Sequence, residues 1–141
     1  MSIEVGSMAY DFTCSAVSAS GEIVDQFNLF KEIEGRHALL FFYPLDFTFV
    51  CPTEMIALNK RMEMFAKLNT KVITVSVDSQ FTHLRWRQTD INDGGIGPVQ
   101  YTMAADVSHE ICKAYGVEHA KEAVAYRASI IIDKNKTCLL Y

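Results

Sequence analysis

The segment 37–43, HALLFFY, is the feature that most limits how this chain can fold. It is a continuous apolar run of strand length, and Pro44 ends it. A strand with one face in water would alternate apolar and polar residues, so this run is typical of a strand buried on both faces. A sheet that contains such a strand needs a covering layer on each side, and we therefore expect helices as well as strands.

Helical patterns alternate with the apolar runs. Pro52 and Glu54 are typical of the first turn of a helix, since proline tolerates that position and a carboxylate complements the positive end of the helix dipole. Apolar residues then recur at helical spacing, at Met55, Leu58, Met62 and Phe65. The other predicted strands are a hairpin over 11–29 and strands over 71–77, 101–105, 128–133 and 137–141. A helix over 80–90 is predicted to be capped by Ser79, with Phe81, Leu84 and Trp86 as its apolar residues. A further short helix is predicted to be capped by Ser108 and to end at Gly116.

This order of elements predicts one α/β domain over residues 1–141, built on a mixed central sheet with helices packed on both faces. Neither repeats nor linker-like stretches divide the chain. The apolar strand over 137–141 has no helix after it, although a sheet needs both faces covered. We therefore expect either that the domain ends in an unusual way or that the chain is a fragment.

Composition and charge exclude several classes of protein. Hydrophobic residues make up 50% of the chain and charged residues 21%, which provides material for a core and excludes a disordered tail or a collagen-like repeat. No apolar run approaches the roughly 20 residues that a membrane helix needs. A net charge of −4 argues against a nucleic-acid partner, which favours a basic face. The start of the chain lacks the basic and apolar regions of a secretory signal, so we expect a cytoplasmic protein.

Cys51 is the cysteine whose position suggests reactivity. The four cysteines, Cys14, Cys51, Cys112 and Cys138, form no CxxC pair, so neither a zinc knuckle nor a thioredoxin-type dithiol is predicted. Cys51 falls in the first turn of a predicted helix, where unpaired N–H groups and the dipole favour a thiolate. Thr48 precedes it by three residues, and one turn would place its hydroxyl beside the sulfur. From position alone, a reactive thiol and a small apolar residue at a helix start are equally compatible with the sequence.

The histidines show no pairing pattern with a cysteine. We therefore expect surface residues or hydrogen-bonded core residues rather than a Cys–His protease. The four are His37, His83, His109 and His119. No cluster of metal ligands is recognised either, so neither a metal nor a cofactor site is predicted.

The spacing Pro-x-x-x-Thr-x-x-Cys-Pro-x-Glu over 44–54 resembles the active-site signature of peroxiredoxins. The longer string FYPLDFTFVCPTE, residues 42–54, resembles the typical two-cysteine branch, which includes the bacterial alkyl hydroperoxide reductase C component. Further matching segments follow in order between Ser7 and Lys136: VITVSVD at 72–78, THLxW at 82–86, GGIG at 94–97, AD at 105–106, KAYGV at 113–117, YRAS at 126–129 and IID at 131–133. The resemblance implies a thioredoxin-like fold of the peroxiredoxin type.

The resemblance also implies an activity and a role for each matching residue. The protein would be a thiol-dependent peroxidase for hydrogen peroxide and organic hydroperoxides, acting in antioxidant defence and redox homeostasis. Cys51 would be the peroxidatic cysteine and would pass through a sulfenic acid. Thr48 would align the peroxide with the sulfur, Arg127 would stabilise the thiolate and the departing oxygen, and Pro44 would limit access of water. Glu54 would orient Arg127. Without the resemblance, Arg127 would be interpreted as a surface arginine, and Glu54 as a carboxylate that complements the positive end of the helix dipole.

The implied partners follow from the same resemblance. Electrons would come from thioredoxin or a flavoprotein disulfide reductase, and the full-length protein would form homodimers that assemble into rings. The chain ends before the C-terminal helix, the arm and the resolving cysteine of this branch, and residues 137–141 differ from its usual continuation. We therefore expect a truncation or a foreign tail there, with no role for Cys138.

Recycling of the sulfenic acid and the activity itself have alternatives. A resolving cysteine from a partner subunit is favoured over an external thiol, and both are favoured over Cys14 or Cys112. A non-catalytic holdase chaperone, a structural subunit of the oligomer or an inactive fragment is the alternative to the peroxidase. A disulfide reductase is disfavoured because CxxC is missing.

Overall fold

The computed structural model describes residues 4–48 and 51–140, and for Cys51 and Leu140 the backbone alone. The strands are β1 (Thr13–Val17), β2 (Ile23–Asn28), β3 (His37–Phe42), β4 (Thr70–Ser76), β5 (Thr102–Ala105), β6 (Glu118–His119), β7 (Val124–Ala125), β8 (Ala128–Ile132) and β9 (Cys138–Leu140). The helices are α1 (Leu29–Glu32), α2 (Cys51–Lys60), α3 (Met62–Lys67), α4 (Gln80–Gln88) and α5 (Glu110–Ala114), with a 3₁₀ turn over Ile91–Asp93.

One mixed sheet organises the fold, as predicted. Its strand order is β2-β1-β5-β4-β3-β8-β9. The central strands β3, β4 and β5 are parallel to their neighbours in that group, while β8 and β1 join it antiparallel. Strands β6 and β7 form a separate short hairpin that the sequence did not reveal.

Strand β3 contributes to two cores, one on each face of the sheet. Leu40 and Phe42 lie in a core that also takes in residues of α1 and α5. Leu39 and Phe41 pack against a second core, to which α2 contributes Met55 and α4 contributes Trp86. Alternate residues of a strand point to opposite faces. The predicted burial of the 37–43 run on both faces, and the predicted helices on both faces, are therefore confirmed.

Three local predictions are wrong. The single apolar stripe from Met55 to Phe65 runs over two helices, because the chain bends at Arg61, whose backbone N–H bonds the carbonyl of Leu58 in a tight turn. Phe81 is 66% exposed, so it is not part of the apolar face of α4, which is formed by the other predicted residues, Leu84 and Trp86. The short helix begins after His109 and not after Ser108, because the Asp106 carboxylate accepts its first free N–H groups.

Other predicted boundaries are close to the observed ones. The hairpin of β1 and β2 turns at Gly21, Ser79 caps α4 by accepting from the N–H of Thr82, and β9 pairs antiparallel with β8. Within the described part of the chain, no helix combines the length and the apolar character that crossing a membrane requires.

Candidate active site

The sheet register brings the two halves of the candidate site to one edge. Phe42, the last residue of β3, lies opposite Ala128, the first residue of β8. Pro44 follows β3 and Arg127 precedes β8, so both leave the sheet at the same place. The loop after Pro44 then leads to α2, whose first residue is Cys51.

Cys51 occupies the N-terminal end of α2. At this position the backbone N–H groups of the first turn have no partner within the helix, and the dipole is positive. Both effects favour a thiolate over a thiol. Phe49, Val50 and the side chain of Cys51 lie outside the described residues, and so does the predicted contact between the Thr48 hydroxyl and the sulfur.

Residues 44–48, the described part of the segment before Cys51, form a loop after β3. Phe47 has a left-handed backbone with φ of 58°, which is uncommon for an aromatic residue. The Thr48 hydroxyl donates to the carbonyl of Leu45 over 3.3 Å. Pro44 is half-buried. The loop is therefore held in a conformation that its own local preferences would not select.

An ion pair connects the first turn of α2 with Arg127. The Nε of Arg127 donates to Oε1 of Glu54 over 2.7 Å. Both side chains keep some exposure, 42% for Arg127 and 30% for Glu54. A guanidinium is thus fixed beside the helix turn that begins with Cys51.

A buried network of hydrogen bonds holds Asp46, a residue of this loop, in place. Asp46 accepts a 2.6 Å hydrogen bond from the Tyr43 hydroxyl and lies 2.6 Å from Nδ1 of His83. Nε2 of the same imidazole lies 2.9 Å from the carbonyl oxygen of Ala104, so it carries a hydrogen and donates. A second proton must then lie between Nδ1 and the Asp46 carboxylate, because two bare acceptors would repel. The pair therefore holds one shared proton, and both side chains are fully buried.

A second carboxylate supports the backbone of this loop. Oδ2 of Asp78 accepts from the backbone N–H of Asp46 over 2.8 Å and from the Ser76 hydroxyl over 2.7 Å. Burial, followed by the nearby Asp46, raises the pKa of Asp78. Asp46, Asp78 and His83 bring potential metal-ligand atoms together, but hydrogen bonds within the protein already occupy them.

The sequence reasoning did not assign a role to this network. Tyr43 and Asp46 lie inside the FYPLDFTFVCPTE string, and the presence of an acidic residue between apolar neighbours was the available signal. His83 is 83 − 46 = 37 positions from Asp46, and only the packing of α4 against the sheet brings them together. The histidines were expected to be either surface residues or hydrogen-bonded core residues, and His83 is a hydrogen-bonded core residue.

The other described cysteines are poor nucleophiles. Burial raises the pKa of the Cys14 thiol and of the Cys112 thiol to about 12, and it also raises the pKa of Cys138. A thiol with such a pKa is almost entirely protonated at neutral pH. Among the described cysteine side chains, none is set up to react as a thiolate.

Comparison with known proteins places these features in a family. Residues 5–138 match the sequence profile of the AhpC/TSA family. The chain belongs to this family. It is similar to alkyl hydroperoxide reductase C of Buchnera aphidicola subsp. Baizongia pistaciae, with 45% identity over 91% of this chain and 64% of that protein.

Mammalian and structural relatives agree with this assignment. Peroxiredoxin-2 of Mus musculus is 48% identical over 92% of the AhpC/TSA chain and 64% of its own length. The reduced 2-Cys peroxiredoxin of Plasmodium vivax superposes with a TM-score of 0.90 at 40% identity, over 96% of this chain and 69% of that one. The predicted thioredoxin-like fold of the peroxiredoxin type is therefore confirmed. The chain spans about 64% of the length of these two curated relatives.

Proposed function

We propose that this protein is a thiol-dependent peroxidase in which Cys51 reduces hydrogen peroxide and organic hydroperoxides. The observation that carries the proposal is the ion pair between Glu54 and Arg127, which fixes a cation at the helix turn that Cys51 begins. Membership of the AhpC/TSA family and similarity to proteins named as peroxide reductases support the same reaction.

The reaction needs an anionic sulfur and donors for the oxygen that leaves. The Cys51 thiolate attacks one peroxide oxygen, an S–O bond forms, and the O–O bond breaks. Sulfur loses two electrons and becomes a sulfenic acid, while the other oxygen leaves with the electron pair, takes up a proton and becomes water or an alcohol. Donors aimed at the developing charge lower the barrier.

Each remaining site residue has a role in this proposal. The Arg127 guanidinium stabilises the thiolate and the departing oxygen, and Glu54 holds it in place. The Thr48 hydroxyl orients the peroxide toward the sulfur. This orientation lowers the entropic cost of bringing the reacting atoms into line. Pro44 offers no N–H to water and limits its access to the pocket.

Recycling of the sulfenic acid requires a thiol, which we place outside this chain. A resolving cysteine of a partner subunit is the favoured source and an external thiol the second, since Cys14 and Cys112 are both at least half-buried and resist ionisation. Thioredoxin or a flavoprotein disulfide reductase would then supply the electrons. We further propose that the chain forms homodimers that assemble into rings. Residues 1–141 form one domain in this proposal, and the pairing of β9 with β8 supports including the last residues in that domain.

The three described cysteines are free thiols, which supports a reducing compartment such as the cytoplasm.

Substitution of single cysteines tests the proposed reaction. Cys51→Ser should abolish peroxide consumption in the presence of a thiol donor, because serine is not ionised at neutral pH. Cys14→Ser and Cys112→Ser, each confirmed as folded by circular dichroism, should retain it. Trapping of the sulfenic acid with a dimedone probe should label the wild type and Cys112→Ser but not Cys51→Ser. Peroxide consumption by folded Cys51→Ser, or its loss in both control variants, would overturn the proposal.

A further inference from the structure

A second cluster of side chains that could bind a metal ion lies outside the candidate active site, where α5 meets β6. It consists of His109, Cys112 and Glu118. His109 is the residue directly before α5, and Cys112 lies three residues later in the first turn of that helix. Gly116 then takes a left-handed conformation with φ of 70°, and the chain turns back so that β6 begins at Glu118. The residue spacing did not reveal this cluster, because only the turn at Gly116 brings Glu118 back to His109 and Cys112.

The three side chains converge on one point. Nδ1 of His109 lies 2.8 Å from Oε2 of Glu118, and the Cys112 sulfur lies 3.9 Å from the same oxygen. One ligand atom of each residue lies within 4.8 Å of the other two. In a tetrahedral zinc site, metal–ligand distances of about 2.0–2.3 Å place neighbouring ligand atoms roughly 3.3–3.7 Å apart. Shifts of less than about 1 Å would therefore complete three corners of such a tetrahedron.

We propose that His109, Cys112 and Glu118 bind a zinc ion through Nδ1, Sγ and a carboxylate oxygen, with water in the fourth position. A nitrogen, a sulfur and an oxygen donor suit the borderline-soft Zn²⁺, whereas Mg²⁺ and Ca²⁺ require oxygen ligands alone. On binding, the thiol loses its proton to solvent and the proton on Nδ1 moves to Nε2 or to solvent. No electron transfer takes place.

The surrounding structure holds the ligands in place. The two oxygens of Asp106 accept from the N–H groups of Ile111 and Cys112 over 3.0 and 2.8 Å, which fixes the first turn of α5. The backbone N–H of Val117 bonds the carbonyl of Cys112 over 2.9 Å, which fixes the turn toward β6. A site that is already assembled loses less conformational entropy when the ion binds.

Charge and access also favour a cation. The carboxylates of Asp106 and Glu118 both act on the Cys112 sulfur, so the cluster is rich in negative charge. The sulfur is buried, while the side chains of His109 and Glu118 are 25% and 17% exposed. An ion can therefore enter from solvent past these two ligands and reach the thiol behind them.

The cluster at Asp46, Asp78 and His83 is less suited to binding a metal ion. Its carboxylate oxygens already accept from Tyr43, Ser76 and a backbone N–H, and its imidazole is bonded at both nitrogens. A metal would have to break these hydrogen bonds. In the second cluster, the Cys112 sulfur lies 3.4 Å from the carbonyl oxygen of His109 and 3.9 Å from Oε2 of Glu118, and the partly exposed His109–Glu118 hydrogen bond of 2.8 Å is the contact that a metal would replace.

Cobalt binding to the full chain tests the proposal. Co²⁺ replaces Zn²⁺ in tetrahedral sites and shows visible absorption bands together with a charge-transfer band from a coordinated thiolate. All measurements use a Cys51→Ser background, which removes the candidate active-site thiol. We expect one Co²⁺ per chain with both kinds of band, displacement by one Zn²⁺, and a higher melting temperature with Zn²⁺.

Ligand variants and matched controls make the test specific. Cys112→Ser should lose the charge-transfer band, and His109→Asn and Glu118→Gln should each weaken Zn²⁺ binding by more than about tenfold, the least that loss of even an outer partner causes. Cys14→Ser, His119→Gln and Glu122→Gln replace the same residue types outside the cluster and should bind as before. His109 and Glu118 are partly exposed, so their variants remain informative if Cys112→Ser does not fold. Absence of a thiolate–cobalt band, or equal affinity in the ligand and control variants, would overturn the proposal.

Discussion

Glu54 and Arg127 are joined by a 2.7 Å hydrogen bond from the guanidinium Nε to the carboxylate Oε1, across 73 positions of the sequence. Glu54 lies in the first turn of α2, and Arg127 lies immediately before β8. Exposed ion pairs add about 0–1 kcal/mol to stability. This contact therefore matters more for where the guanidinium is held than for how stable the fold is.

Glu54→Gln should reduce activity while leaving stability almost unchanged. Without the carboxylate charge, Arg127 is held less firmly beside Cys51, and we expect kcat/KM for peroxide to fall roughly tenfold, equivalent to about 1.4 kcal/mol. The free energy of unfolding in urea should change by less than about 1 kcal/mol. Stopped-flow peroxide consumption and urea titration measure the two quantities.

Glu32→Gln is the matched control for this substitution. Glu32 forms the other exposed carboxylate pair with a basic side chain in the described structure, with Lys71 at 3.2 Å, and both partners are about as exposed as those of the Glu54 pair. It should change neither kcat/KM nor stability by a measurable amount. If the two variants lose activity equally, the positioning role of Glu54 is wrong.

His83→Ala should strongly destabilise the protein. It removes the partner with which the buried Asp46 shares a proton, and it leaves the carbonyl of Ala104 without that donor. Breaking a buried pair in this way costs about 3 kcal/mol. Urea unfolding followed by the fluorescence of Trp86, the single tryptophan of the chain, measures the loss.

His119→Ala serves as the comparison for His83→Ala. His119 is half-buried, and its contacts are the ring of Tyr126 and the N–H of Glu122. Its removal should cost less than about 0.5 kcal/mol. Similar losses for the two histidines would show that the Asp46–His83 pair does not anchor the fold.

The stability of the protein should fall in alkaline solution, in part because of Cys14. Burial raises the pKa of this thiol from 9.0 to about 12. Between those two values the unfolded chain releases the proton and the folded chain keeps it, so stability falls as the pH rises above 9.0. Each such group contributes up to about 1.4 kcal/mol per pH unit.

Cys14→Ala should make this pH dependence shallower. Between pH 9 and 11, the free energy of unfolding should fall less steeply in the variant, by up to about 1.4 kcal/mol per pH unit. Ser15→Ala, in the same strand but without an ionisable group, should follow the wild type. Parallel curves for Cys14→Ala and the wild type would contradict a raised pKa at Cys14.

Gly95→Ala should destabilise the loop over 94–97. An added Cβ would collide with the carbonyl of Thr89, which also accepts the N–H of Gly97. Forcing a side chain into such a space costs about 1–3 kcal/mol. The melting temperature and the emission of Trp86, whose indole N–H donates to the carbonyl of Gly94, should both change.

Gly21→Ala separates this clash from the general cost of replacing glycine. Gly21 has φ of 92° and no atom within 4 Å of an added Cβ, so only backbone strain of about 1 kcal/mol is expected. The emission of Trp86 should stay the same. A loss at Gly21 that equals or exceeds the loss at Gly95 would rule out the predicted collision.

Short-range patterns in the chain were sufficient to predict several helices and strands. The run HALLFFY predicted β3 with both faces buried, Ser79 predicted the start of α4, and the pattern over 11–29 predicted the first hairpin. Hydrophobic periodicity and capping depend on residues a few positions apart, so they are visible in the chain. The family resemblance likewise rested on short strings, the one around Cys51 and further segments that match in order between Ser7 and Lys136.

Contacts between residues that are distant in the sequence became visible in the folded chain alone. The Glu54–Arg127 pair could be proposed from the resemblance, but the shared proton of Asp46 and His83 and the convergence of His109, Cys112 and Glu118 could not. These contacts depend on the sheet register, on the packing of α4 and on the turn at Gly116. A sequence records the identity of such residues but not their distance, because three-dimensional proximity arises only when the helices and strands pack together.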